Sequence, residues 1–209
     1  MKLYDYAQAP NPRRVNMFIA EKGIDIPRVE IDLGTRAQLN EDYLRINPRA
    51  EVPALELDDG TILTESLAIC HYLEGLHPDP NLLGETPLER AQIMMWDRRI
   101  EQGGFAAVAE AFRNSSPGFV DRSVTGTENF AQIPDLVDRG KARAVKAFDD
   151  LNTRLGESDY IAGDRFTIAD ITAFVLVGFA RWIKVRPSED HANTKRWLDS
   201  LADRPCAGV

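Results

Sequence analysis

Three short segments in the first 66 residues place side chains where an anion or a thiol could be held. Asn11-Pro12 reads as a helix N-cap followed by proline at the first helical position. An anion beside Asn11 would meet the positive end of the helix dipole, and a thiol placed there would have its pKa lowered. Val52-Pro53 stands at the entry of a strand, and a proline cannot donate to the ladder, so an edge or a bend is implied. With a cis bond, the peptide groups of Val52 would face outward and could pair with an extended ligand backbone. A trans proline at a strand start is the ordinary alternative. Glu65-Ser66 opens a helix after a hairpin. The helix N–H groups and the Ser66 hydroxyl would suit a carboxylate and Glu65 an ammonium, so the pair fits the head of an α-amino acid. Taken singly, Asn11 and Glu65-Ser66 read equally well as helix caps. Their order and spacing make the case.

The elements that must carry these residues alternate in type. Leu3 to Tyr6 reads as a strand, a helix follows Asn11 and stops at Gly23, and Arg28 to Leu33 reads as a second strand. Gln38 to Ile46 has helical character. Val52 to Leu57, Asp58-Asp59-Gly60 and Thr61 to Thr64 form a hairpin with its turn signal in the middle. Glu65 to Leu76 returns to helical periodicity, with Leu67, Ile69, Tyr72, Leu73 and Leu76 on the side expected to be buried. The order is β-α-β-α-β-β-α, which requires a mixed, four-stranded sheet covered by helices. Residues 1–77 are therefore expected to form one domain, 78–85 a stiff polar linker, and 86–209 an all-helical domain.

In the second part Thr86-Pro87-Leu88-Glu89 is a capping box that opens a long helix, which Gly103-Gly104 should kink or weaken. Asn114 to Asn129 is rich in small and polar residues and is expected to be a mobile loop. Helices are expected from about Pro134 to Leu155, Phe166 to Ile183 and Glu189 to Ala202. Thr167 and Asp170 form a second capping box, with Phe166 and Ile171 as its hydrophobic staple.

Composition excludes several classes. With a formal net charge of -8 over 209 residues, the chain lacks the excess of Lys and Arg that a nucleic-acid surface or an anionic membrane would require. Two distant cysteines, Cys70 and Cys206, make no disulfide framework and fit a reducing cytoplasm. His71, His77 and His191 are not at metal spacing, so no metal is expected. The apolar run Ile171 to Ile183 is too short to span a bilayer and reads as a buried helix. Cys70 reads as packing, as do Met94, Met95, Trp96 and Ile100.

The segments Asn47-Pro48-Arg49-Ala50-Glu51-Val52-Pro53-Ala54-Leu55, Asp58-Asp59-Gly60 and Thr64-Glu65-Ser66-Leu67-Ala68-Ile69 resemble the glutathione-binding half of cytosolic, bacterial-type glutathione transferases. Tyr160 through Asp170 resembles the helical-domain signature of the same family, so the likeness covers nearly the whole chain. It implies a thioredoxin-like N-terminal domain, a helical C-terminal domain with cosubstrate pocket and dimer contacts, and a homodimer. It also implies glutathione as cosubstrate and a small apolar electrophile as its partner. By the same resemblance Pro53 takes a cis role, Val52 pairs with the cysteinyl backbone, and Glu65 with Ser66 receives the γ-glutamyl end. Gln38 matches a glutathione contact seen in some bacterial members.

The chain departs from that pattern in two places. Where many members carry a serine, cysteine or tyrosine against the thiolate, this sequence has Ala9. Three groups could substitute: the Asn11 side-chain amide, as in members similar to the disulfide-reducing bacterial class, the backbone N–H groups around Pro10 and Asn11, or the Tyr6 hydroxyl. Glu51 is the second departure. It would repel the glycyl carboxylate of glutathione unless Arg13, Arg14, Arg36 or Arg49 compensates. Phe105, Phe112 and Phe119 are candidates for the apolar cosubstrate pocket facing the thiol, with plain core packing as the alternative. Three activities stay open at this stage: conjugation to an electrophile, glutathione-dependent reduction of a disulfide or peroxide, and a binding or regulatory role without chemistry.

Overall fold

Leu3, Tyr4, Ala54 and Leu55 are almost fully buried, and they sit on the two strands from which the rest of the first unit is built. The computed structural model describes all residues, 1–209. The strands are β1 (Lys2–Asp5), β2 (Arg28–Glu30), β3 (Ala54–Glu56) and β4 (Ile62–Thr64), in the sheet order β2-β1-β3-β4. β1 runs parallel to β2 and antiparallel to β3, and β3 pairs antiparallel with β4. The mixed four-stranded sheet and the thioredoxin-like arrangement are therefore present. The hairpin turn is held as the sequence requires, with Gly60 at φ 85° and the Asp59 carboxylate accepting from Thr61 N–H at 2.9 Å.

The helices of this unit are α1 (Pro10–Lys22), α2 (Glu41–Ile46) and α3 (Ser66–Leu76). α1 buries Val15, Phe18 and Ile19, and α3 buries Ile69 and Leu73, each such side chain being worth ~1.5–3 kcal/mol. Two helices packed side by side also enclose an ion pair. The Lys22 ammonium, its side chain fully covered, lies 2.5 Å from Glu74 Oε2. Glu74 therefore takes a buried place on α3, whereas Leu76, expected inside, is exposed. Gln38 lies on a short 3-10 turn, Ala37–Leu39, so the expected helix there is split before α2 begins. Residues 1–80 belong to this unit together with 124–128 and 205–209. Its terminal turn packs on α1, where Cys206 N–H donates to Glu21 Oε1 at 3.2 Å and Arg13 Nε to the Val209 carbonyl at 2.9 Å.

The second unit comprises residues 81–123 and 129–204 and is helical. α4 (Pro87–Ile100) passes through a π-helical turn, Glu101–Phe105, into α5 (Ala106–Ser115); α6 (Asp135–Leu155), α7 (Ile168–Ala180) and α8 (Ala192–Ser200) follow. The expected break at Gly103-Gly104 takes the form of that π turn. A Cβ on Gly104 would lie 2.4 Å from Leu176 Cδ2, so only glycine admits α7 this closely. α7 is buried on nearly all sides, as its apolar run implies. Met94 and Met95 are exposed on α4, contrary to the packing role expected for them, because the buried face of that helix carries Ile93 and Asp97. Residues 114–129 are more tightly bonded than their loop-like composition implies. The Arg113 guanidinium donates to the carbonyls of Ser123 and Arg122 at 3.1 and 2.6 Å, and Gln132 Nε2 donates to those of Arg113 and Ser116, both at 2.8 Å.

The start of α7 is the strongest polar knot of the unit. The fully buried Asp170 carboxylate accepts from Thr167 N–H at 2.9 Å, Thr167 Oγ at 3.2 Å, Ile161 N–H at 3.0 Å and Trp197 Nε1 at 3.0 Å. No helix is long and apolar enough to cross a membrane.

Candidate functional site

Sheet register brings the candidate residues of the first unit to one end of the sheet. Ala54 pairs with Thr64, so Pro53 and Glu65 each follow one step outward from the same rung. Ala54 also pairs with Tyr4, near the end of β1 that leads into α1. Strand ends of β1, β3 and β4 thus deliver the α1 N-terminus, Val52-Pro53 and Glu65-Ser66 to a common edge.

The start of α1 differs from the expectation by two residues. Ala9 occupies the N-cap position without a side-chain cap, and Asn11 sits inside the first turn. The reason is the pair of prolines flanking Asn11, at Pro10 and Pro12, which need no partner for a missing N–H. Of the first four backbone positions, Ala9 N–H donates to the Tyr6 carbonyl at 2.8 Å and the two prolines have no donor. Asn11 N–H is the one left. It therefore offers that N–H and its side-chain amide at the positive end of a helix, on an exposed residue. Tyr6 is half-buried just beyond β1, and Ala9 itself brings no polar atom.

The Val52-Pro53 peptide bond is cis. Neither the N–H nor the C=O of Val52 is taken up by backbone pairing, since β3 begins at Ala54. The turn ahead of it is built by Asn47, which is 1% exposed: its Oδ1 accepts from Arg49 N–H at 3.1 Å and its Nδ2 donates to the Glu51 carbonyl at 2.7 Å. Tyr43 donates its hydroxyl to the same carbonyl at 2.6 Å, and burial pushes its phenol up to about 12, so it stays a donor throughout the physiological range. Of the four arginines weighed against Glu51, Arg49 is the one that meets it, Nε to Oε2 at 3.2 Å.

Glu65 has φ 67° and ψ 118°, a left-handed backbone conformation that costs a non-glycine residue about 1–3 kcal/mol. Its carboxylate is exposed, while Ser66, the first residue of α3, is 7% exposed. No side chain caps α3. Gln38 is 7% exposed, and its Oε1 has no hydrogen-bond partner within the chain. It lies beside Ala37, which packs with Val52 on the Tyr4, Ile31, Tyr43 and Ala54 cluster.

Arg14, named from the sequence only as a counter-charge for Glu51, ties the arrangement together. Arg14 is buried, and its Nη1 reaches both Asn11 Oδ1 at 3.4 Å and Ser66 Oγ at 3.3 Å. The sequence gives no sign of this beyond a helical position facing inward, because charged side chains are expected outside.

Phe105, Phe112 and Phe119 lie in the second unit, joined in an aromatic cluster with Phe179 and Trp182; Phe105 meets Phe179 at 5.3 Å and Phe112 meets Phe119 at 5.2 Å. A separate cleft of about 440 Å³ in that unit is lined by other residues, among them Trp96, Ile100, Leu151 and Leu176. No group of three or more His, Cys, Asp or Glu side chains is placed to hold a metal ion.

Residues 9–76 match the model of the glutathione S-transferase N-terminal domain, and residues 134–200 that of the C-terminal domain. Glutathione S-transferase 2 of Saccharomyces cerevisiae is 33% identical over 208 residues, covering 98% of this chain and 87% of its own length. Maleylacetoacetate isomerase of Pseudomonas aeruginosa is 41% identical over 178 residues, covering 82% of this chain and 77% of its own. The solved structure of a glutathione S-transferase domain-containing protein from Marinobacter aquaeolei superposes with a TM-score of 0.91 at 37% identity, covering 99% of this chain and 100% of that one. Two domain models matched in order, with relatives of this likeness over most of the chain, show that the protein belongs to the glutathione S-transferase family.

Proposed function

We infer that the chain is an enzyme that binds glutathione, lowers the pKa of its thiol and passes the thiolate sulfur to a small apolar electrophile. The observation that carries this reading is the start of α1, where the N–H and side-chain amide of Asn11 are the donors left to meet a thiolate. Ser66 and the uncapped start of α3 would take the γ-glutamyl carboxylate, and Glu65 its ammonium. The unpaired peptide groups of Val52, beside Pro53, would hold the cysteinyl backbone in the manner of an added strand, and Gln38 would turn its amide to the same ligand. Pairing with Arg49 offsets part of the charge with which Glu51 would repel the glycyl carboxylate. Chemically the step is a nucleophilic attack: a C–S bond forms, and either a leaving group departs or a carbanion takes a proton.

Self-association as a homodimer belongs to the same reading, supported by Met94 and Met95 on α4 and Val145 on α6, large apolar side chains left exposed. Incubation of the protein with glutathione and an activated aryl halide tests the activity. Release of halide with formation of the thioether supports it; no acceleration over the uncatalysed rate at any pH between 6 and 8 counts against it. The 41% identity to an isomerase favours a second reading in which the sulfur adds to an activated double bond and leaves again. In that case glutathione is required for turnover and is not consumed.

A further inference from the structure

Arg14 is 2% exposed, and a guanidinium is seldom so buried unless its donors are used. Its Nη1 carries two hydrogens, one for Asn11 Oδ1 at 3.4 Å and one for Ser66 Oγ at 3.3 Å. Both bonds can thus be held at once. They run to the two residues that the proposed function sets against the two ends of the ligand, the thiol and the γ-glutamyl carboxylate, and the inference rests on that reading.

A guanidinium has donors and no acceptor, so whatever faces it must present a lone pair. Asn11 therefore turns its carbonyl oxygen inward, and its Nδ2 hydrogens are left pointing away. Ser66 receives on its oxygen, and its own O–H must point elsewhere. Both residues would otherwise be free to rotate, and each would spend part of its time offering an acceptor to an anion. We propose that Arg14 is a positioning residue for the glutathione site, one buried cation that turns the Asn11 amide and the Ser66 hydroxyl outward as donors to thiolate and carboxylate. The same charge lies beneath both anionic ends of the ligand without touching either. A guanidinium serves here where an ammonium would not. Its planar fork reaches two acceptors in fixed directions, whereas lysine offers a point charge on a flexible stem.

The alternative is that Arg14 only braces α1 against α3. Arg14→Lys, alone and combined with Asn11→Ala or Ser66→Ala, separates the two roles, with folding followed by circular dichroism. Glutathione affinity is read by calorimetry and the bound thiol's pKa by thiolate absorbance. Positioning predicts that folded Arg14→Lys binds glutathione about five- to tenfold more weakly. It also raises the bound thiol's pKa by about half a unit. The pKa change should vanish in the Asn11→Ala background, and the affinity change in the Ser66→Ala background. Unchanged affinity and pKa in Arg14→Lys, or equal changes in every background, would overturn positioning and leave a brace. Side-chain nitrogen–proton NMR of the wild type decides the matter should the Arg14 variants fail to fold. Arg14 Nη1 hydrogens protected from exchange, together with Asn11 Nδ2 hydrogens that shift when glutathione binds, support the proposal, and freely exchanging Arg14 hydrogens or unshifted Asn11 hydrogens refute it. A wild type that binds no glutathione overturns the proposed function as well, an outcome distinct from binding that ignores Arg14.

Discussion

Replacing Asp170 with alanine removes the acceptor of four hydrogen bonds in a site closed to water. The Thr167 hydroxyl can turn to another partner, but Thr167 N–H, Ile161 N–H and Trp197 Nε1–H cannot. At about 1–3 kcal/mol for each buried donor left unmade, less what relaxation recovers, the substitution should cost about 4 kcal/mol at pH 7. For a chain of this size that is a fall in midpoint temperature of about 8–16 °C. The cost should also depend on pH. Burial first, opposed by the N–H donors, raises the Asp170 carboxyl from 3.8 to about 6. The folded protein thus takes up this proton more readily than the unfolded chain. Its contribution to stability is complete below about 3.8 and is lost as pH rises through about 6. The gap between wild type and Asp170→Ala should therefore widen on acidification from pH 6 to 4, by at most about 1.4 kcal/mol per unit. Urea titrations of both proteins at three pH values measure it. A difference under 1 kcal/mol, or one that narrows toward pH 4, would refute the reasoning.

Three further substitutions test separate parts of the structure. Gly140→Ala should destabilise by about 1–3 kcal/mol in denaturant titration, since its Cβ would lie 2.6 Å from the Ala107 carbonyl and 2.9 Å from Ala111 Cβ, forcing α5 and α6 apart. Lys22→Met should cost about 3–5 kcal/mol, because it takes the ammonium from a Glu74 carboxylate it meets in the interior, and Lys22→Met with Glu74→Leu should recover most of the loss. Arg49→Ala, which strips Glu51 of its exposed partner, should weaken glutathione binding by about two- to fivefold at low salt and by less at high salt, as read by calorimetry.

The parts of this fold that local chemistry dictates were legible. Asp58-Asp59-Gly60 announces a turn because only glycine sits easily at the φ of 85° found at Gly60, and an aspartate one step back bonds the turn shut. The start of α7 was legible for the same reason as far as the Thr167–Asp170 capping box, which lies within one turn, whereas Trp197 as a further donor to Asp170 was not. What depended on a distant neighbour was not. The break at Gly103-Gly104 could be foreseen, yet its π form reflects Leu176 pressed against Gly104. As an N-cap Asn11 would bond its own helix, but Pro10 and Pro12 move the cap to Ala9 and set Asn11 inside the first turn, a shift of two residues that its capping propensity alone does not reveal. Glu65-Ser66 and Val52-Pro53 could be singled out from strand and helix boundaries. Arg14 could not, because its meaning lies in a serine 52 positions further along the chain. The aromatic candidates Phe105 and Phe112 follow helical spacing, and such spacing does not distinguish a ring that packs from one that meets a substrate.

Glutathione titration of the wild type, Ser66→Ala and Asn11→Ala by calorimetry, with the bound thiol's pKa followed in parallel, tests the central claim most directly. The account predicts that the wild type binds and that Ser66→Ala weakens binding by about tenfold. Asn11→Ala should keep most of the affinity and raise the thiol's pKa. No binding by the wild type at millimolar glutathione, or an Asn11→Ala variant whose bound thiol titrates as in the wild type, would contradict it.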